Sequence, residues 1–121
     1  MNSTELKDRT KQFALRVLKI VAALPNTIEG RAIGNQLVRC GTSVAANYRA
    51  TCRARSKAEF IAKIGIVLEE ADEAQLWLEL IADGKILPAK RVEPLQSEAN
   101  ELVAIMVTSR KSAASNLKSA I

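Results

Sequence analysis

The chain has 121 residues, 18 Lys and Arg against 13 Asp and Glu, no histidine and two cysteines. That length fits one domain able to bury a core without staples, and two thiols exclude a disulfide scaffold. The absence of histidine removes the commonest general base, the usual Ser or Cys relays and the Glu-x-x-His metal pairs of di-iron bundles. A net charge of +5 and a pI near 9.5 permit a polyanionic partner, because a basic surface collects phosphate backbones without reading sequence.

The opening segment MNSTELKDRTKQF is charged and polar, which does not fit a secretory signal. No apolar run approaches the length of a membrane span, so the expected compartment is the cytoplasm. Cys40 and Cys52 lie within one predicted helix, about 18 Å apart in rise, and read as small apolar residues of a reduced protein.

Helix one is predicted from about residue 5 to 24, with Thr4 as N-cap, Glu5 and Asp8 in its first turn, and Pro25 as its stop. Phe13, Val17, Ile20, Val21 and Leu24 form its apolar face. Helix two is capped near Thr27 and is expected over 28–54. Ile33, Leu37, Cys40, Val44, Asn47 and Thr51 fall on one arc, with Tyr48 at its edge. Asn47 therefore reads as a buried amide bonded to a facing helix.

Ser56 followed by Glu59 forms a capping box, the hydroxyl accepting from the Glu59 N–H while the carboxylate reaches back to the Ser56 N–H. Helix three then spans about 57–82, with Phe60, Ile64, Val67, Ala71, Ala74, Leu78 and Ile81 at three-four spacing. Asp83 and Gly84 supply its stop, and Gly84 suits a left-handed conformation. Helix four is expected over 92–115, starting near Val92 or after a short turn because Pro94 is cheap only in a first turn. Val92, Leu95, Ala99, Leu102, Met106, Ser109 and Ala113 repeat the spacing, and the final SRKSAASNLKSAI is expected to fray. Four helices with short connections predict an all-α, antiparallel up-and-down four-helix bundle.

Three surface features remain. On helix two, Gly30, Gly34, Gly41, Ala45 and Cys52 share one stripe, which calls for close approach of another backbone because each helical glycine costs about 1 kcal/mol. A late helix start near Arg31 would instead leave Gly30 in a loop. On helix three, Ile66, Trp77 and Leu80 form a second apolar strip rimmed by Glu70 and Glu73. Gly34, Gly41, Ala45, Ile66, Trp77 and Leu80 are accordingly assigned to an oligomer contact.

The third feature is a basic ridge on helix two, Arg31, Arg39, Arg49 and Arg53, extended by Arg55 and Lys57 at the corner. It reads as a phosphate-backbone track, as a solvated helix face, or as arginines that pair with the acidic end of a neighbour's third helix. No interleaved aromatics offer stacking platforms for bases. The acidic run Glu69, Glu70, Asp72 and Glu73 points around much of its helix and reads as a solvated or interface face rather than a cation site. No catalytic residue, metal ligand or cofactor is assigned, and the chain is not expected to be an enzyme.

Gln36, Leu37, Arg39, Ser43, Val44, Asn47, Arg53, Ser56 and Phe60 match in order a pattern found in a family of small bacterial proteins. The chain resembles the four-helix bundle proteins called 23S ribosomal RNA intervening-sequence proteins, or S23 ribosomal proteins, from Phe13 to about Met106. Many members carry an acidic residue and a glycine after the asparagine, where this chain has Arg49 and Ala50 and a more basic surface. The resemblance implies assembly into a ring-like homopentamer and brings no established catalytic residue. Some relatives are encoded within 23S ribosomal RNA genes, and a similar fold is the accessory partner of a reverse transcriptase in retroelements. The expected partners are other copies of the chain, RNA or DNA at the basic surface, or an acidic protein for which the chain is an accessory module; no membrane partner is expected.

Overall fold

The computed structural model describes residues 1–120, with side chains described through residue 116. Four helices follow in order: α1 (Ser3–Ala23), α2 (Ile28–Thr51), α3 (Lys57–Asp83) and α4 (Ala89–Ala120). Each packs against its neighbour in the chain, and α1 meets α4 more thinly, closing an up-and-down bundle.

The caps explain where each helix begins. Asn2, not Thr4, caps α1: its Oδ1 accepts from the Glu5 N–H at 2.8 Å, and its Nδ2 donates to Glu5 Oε1 at 3.1 Å. The Asn-x-x-Glu spacing satisfies a first-turn donor in the manner of a capping box. Thr27 caps α2 through the Gly30 N–H, so Gly30 is helical, and Ser56 caps α3 through the Glu59 N–H at 3.1 Å. The Glu59 carboxylate does not complete the box; it turns to Lys63 at 3.5 Å and lies 3.9 Å from Arg55.

The helix ends differ from expectation in three places. α2 stops at Thr51, short of Ala54, because Arg53 and Ala54 donate to Ala50 and Thr51 carbonyls three residues back and tighten the chain into the corner. α3 runs one residue further than expected, and this moves the left-handed position from Gly84 to Lys85, with φ 56°. Lys85 and Ile86 then donate to the Ala82 and Ile81 carbonyls, the paired bonds of a Schellman cap. α4 begins at Ala89 and continues to Ala120, through the segment expected to fray; Ile121 lies outside the described residues. Its early start leaves Pro94 inside the helix, where it cannot donate to the Lys90 carbonyl.

The core follows the predicted stripes. Phe13 and Val17 of α1, Leu37, Cys40 and Val44 of α2, the α3 series from Ile64 to Ile81, and Val92, Leu95, Ala99, Leu102 and Met106 of α4 are all buried. Val21, Leu24, Ile33 and Phe60 are half-buried at its margin. Asn47 is a correction: it is half-buried, and its amide donates to the Ser43 carbonyl of its own helix at 2.9 Å instead of reaching a facing helix.

The glycine stripe serves this core. A Cβ on Gly41 would stand 2.8 Å from both Val17 methyls, and one on Gly34 would stand 3.3 Å from Leu24 Cδ1. Gly34 and Gly41 are buried beneath α1, so their placement in an oligomer contact is corrected; the close approach they permit is between α1 and α2 of one chain. Ala45, half-buried, lies one turn beyond them.

Candidate nucleic-acid interface

The basic ridge of α2 does not survive as one surface. Arg39 reaches across to α3, where its guanidinium is 3.2 Å from Glu70 Oε2 and bonded to Glu73 Oε2. The Glu73 bond, with the two nearby carboxylates, raises the Arg39 pKa further. Glu73 is held below the usual carboxylate range, first by the Trp77 indole N–H that donates to it at 3.1 Å and then by Arg39. Arg39 thus pairs with acids of its own chain and is withdrawn from the phosphate track. Arg31 stays exposed near the opposite end of α2 and donates to Asn26 Oδ1 at 2.7 Å.

Arg49 and Arg53 have a different setting. α1 and α2 run antiparallel through a short connection, so the N-terminal half of α1 lies beside the C-terminal half of α2. Lys7 and Lys11, one turn apart on α1, thereby face Arg49 in the last turn of α2 and Arg53 in the corner just past its end. Together with Thr4 and Asp8 they line a surface groove of about 440 Å³. None of these four cations forms an ion pair within 4 Å among the described residues. Four cations against one carboxylate make this the unneutralised basic groove between α1 and α2. Lys7 and Lys11 were missed in the sequence, although their i, i+4 spacing on the polar side of α1 and the antiparallel hairpin together point to them.

Arg55 and Lys57 stand apart from that groove, on the rim of a larger cleft of about 740 Å³ at the α2–α3 corner. Tyr48, Phe60, Thr108 and Ser112 line its walls. Arg9 of α1 is engaged internally: it grips both oxygens of Glu98 at 2.8 and 2.7 Å and raises its own pKa by doing so.

The opposite side of the bundle is acidic and partly apolar. Ile66 and Leu80 are exposed on α3 as predicted, and Leu76, absent from the predicted strip, joins them. Trp77 departs from that strip: it packs against the core margin and donates its N–H to Glu73. Exposed Glu69, Asp72 and Glu79 flank the three aliphatic side chains.

Among the described residues, no group of three or more His, Cys, Asp or Glu side chains could hold a metal ion, and no helix is long and apolar enough to cross a membrane. The fold and surface define an antiparallel four-helix bundle with a basic groove where the start of α1 meets the end of α2. The chain belongs to the 23S rRNA-intervening sequence protein family, whose family model matches residues 2–108. It is similar to a crystal structure of a protein of unknown function from the S23 ribosomal protein family of Bacteroides thetaiotaomicron VPI-5482. The two are 31% identical with a TM-score of 0.81, over 87% of this chain and 97% of that one. No curated protein matches the chain.

Proposed function

We propose that this bundle is a non-enzymatic, cytoplasmic nucleic-acid-binding protein that holds RNA or DNA by its phosphates, without strong sequence preference, and works as a homo-oligomer. The observation that carries the reading is the convergence of Lys7 and Lys11 of α1, Arg49 of α2 and Arg53 of the following corner on one groove, with no ion-pair partner for any of them among the described residues. Clustered cations of that kind attract a phosphate backbone and release its counterions, and phosphate contacts by themselves carry no base identity. The interacting set moves from the α2 ridge to this groove, with Arg39 omitted because Glu70 and Glu73 already neutralise it.

Self-assembly finds support in the exposed Ile66, Leu76 and Leu80, an apolar strip on the outer face of α3. A ring-like pentamer is the assembly the family resemblance implies, and light scattering across a size-exclusion peak measures it. A second reading, an accessory module that docks an acidic protein, draws on the same groove; a pull-down that survives nuclease treatment would favour it.

The test is fluorescence anisotropy with a labelled oligonucleotide across a salt series. Affinity is expected to fall linearly with salt on logarithmic axes, and Arg49→Ala with Arg53→Ala to lower the slope by about one for each phosphate interaction removed. Absence of binding at low ionic strength, or an unchanged slope in the double variant, would overturn the proposal.

A further inference from the structure

The cleft at the α2–α3 corner lies apart from the groove and contributes nothing to phosphate binding there. We propose that it receives one unstacked nucleotide, so that the protein holds single-stranded nucleic acid in preference to duplex. This inference rests on the reading above and adds a second site to it.

Four observations converge. The cleft, about 740 Å³, has the size of ligand pockets, which run roughly 300–1,000 Å³. Tyr48 lines it while only 5% exposed, and among the described residues no nitrogen or oxygen bonds its hydroxyl; the soft Cys52 thiol is its polar neighbour. Burial, then Cys52, pushes the Tyr48 hydroxyl above its usual range, so it keeps its proton and remains a donor. That thiol is a weak partner, which an oxygen or nitrogen acceptor of a bound nucleotide can replace.

Around it the chemistry suits a base and its phosphate. Phe60 presents an aromatic ring at the wall, and the Thr108 and Ser112 hydroxyls of α4 face the cleft without a protein partner among the described residues. Arg55 and Lys57 stand on the rim beside the first turn of α3, where Ser56 occupies the Glu59 N–H and leaves earlier amides for an anion. Aromatic faces with nearby donors are how proteins hold splayed bases, which a paired duplex does not offer.

The two sites also adjoin along the chain. Ser3 lines the cleft and Thr4 the groove; Cys52 lines the cleft and Arg53 the groove. A strand whose phosphates cross Lys7, Lys11, Arg49 and Arg53 can turn its next base into the corner.

The experiment compares a labelled oligo-dT single strand with a duplex of equal length at one salt concentration, for the intact chain and three variants. The single strand is expected to bind roughly tenfold tighter than the duplex. Tyr48→Phe, which keeps the ring and removes the donor, and the separate Phe60→Leu should each weaken the single strand several-fold and leave the duplex unchanged. Arg49→Ala with Arg53→Ala should weaken both. Equal affinity for strand and duplex, or losses on Tyr48→Phe and Phe60→Leu that affect both alike, overturns the cleft assignment and leaves the groove standing. Binding to neither overturns both readings.

Discussion

Arg39 of α2 and Glu73 of α3 hold each other across the seam between their helices, and the carboxylate oxygen that accepts from Arg39 also accepts from the Trp77 indole at 3.1 Å. A residue that reads as a phosphate contact is therefore a structural cation in this fold. Arg39→Ala is expected to leave oligonucleotide affinity nearly unchanged while shifting the emission of Trp77, the single tryptophan. An affinity loss as large as that of the Arg49 and Arg53 double variant would return Arg39 to the interface.

The same network predicts a pH dependence. Glu73 has its folded pKa lowered from 4.5, with the Trp77 bond the first cause and Arg39 the next. Its stabilising contribution is fully present above the ordinary value and is lost as pH falls through the folded one. Trp77 emission should stay constant above pH 4.5 and change below it, and Glu73→Gln should flatten that change. An identical acid transition in the variant would assign it to other carboxylates.

Gly41 sits where α1 and α2 come closest. Alanine would gain about 1 kcal/mol of helix propensity, but its Cβ would stand 2.8 Å from both Val17 methyls. Overpacking of this kind costs about 1–3 kcal/mol, so Gly41→Ala is expected to destabilise by up to about 2 kcal/mol in urea unfolding. The penalty should shrink when Val17→Ala is already present, because the clash is with the Val17 side chain. A penalty that is the same in both backgrounds would place the strain elsewhere.

The bundle was legible because local rules and global packing agree in it. Three-four spacing placed nearly every buried residue of α3 and α4, and Thr27 and Ser56 announced two helix starts through their own hydroxyls. The use of the glycine stripe was not legible, since a helix surface does not reveal whether the body against it is the preceding helix or another copy. Arg39 was misread for a related reason: Glu70 and Glu73 are distant in sequence and meet it only when α2 folds back on α3. Lys7 and Lys11 needed two elements considered together, and Leu76 lies one residue from Trp77, which took its place in the predicted strip.

The two thiols separate by burial. Cys40 is fully buried, and burial, more than the nearby Glu73, pushes its pKa up to about 12, whereas Cys52 is half-buried on the corner cleft. Iodoacetamide at pH 8 is expected to label Cys52 in the native protein and Cys40 only at the rate of opening, as followed by peptide mass spectrometry. Because the unfolded Cys40 thiol ionises near 9.0 and the folded one near 12, the unfolded state loses its proton first and stability should fall across that interval. Replacing Cys40 with serine would add a hydroxyl to the core, so alanine is the control. Equal native labelling of both thiols would contradict the packing around Cys40.

Lys85 carries the one positive φ among the described non-glycine residues, 56°, at the position after the α3 C-cap. The Schellman bonds from Lys85 to Ala82 and from Ile86 to Ile81 require that conformation, which costs an L-residue about 1–2 kcal/mol. Glycine removes that strain and returns about 0.4–1 kcal/mol through the freer unfolded chain. The first effect is larger, so Lys85→Gly should stabilise by about 0.5–1 kcal/mol and raise the thermal midpoint by a few degrees. Lys85→Ala keeps the Cβ and the strain while deleting the charge, and should give no such gain. Equal gains from both substitutions would identify the ammonium group, rather than the backbone, as the source.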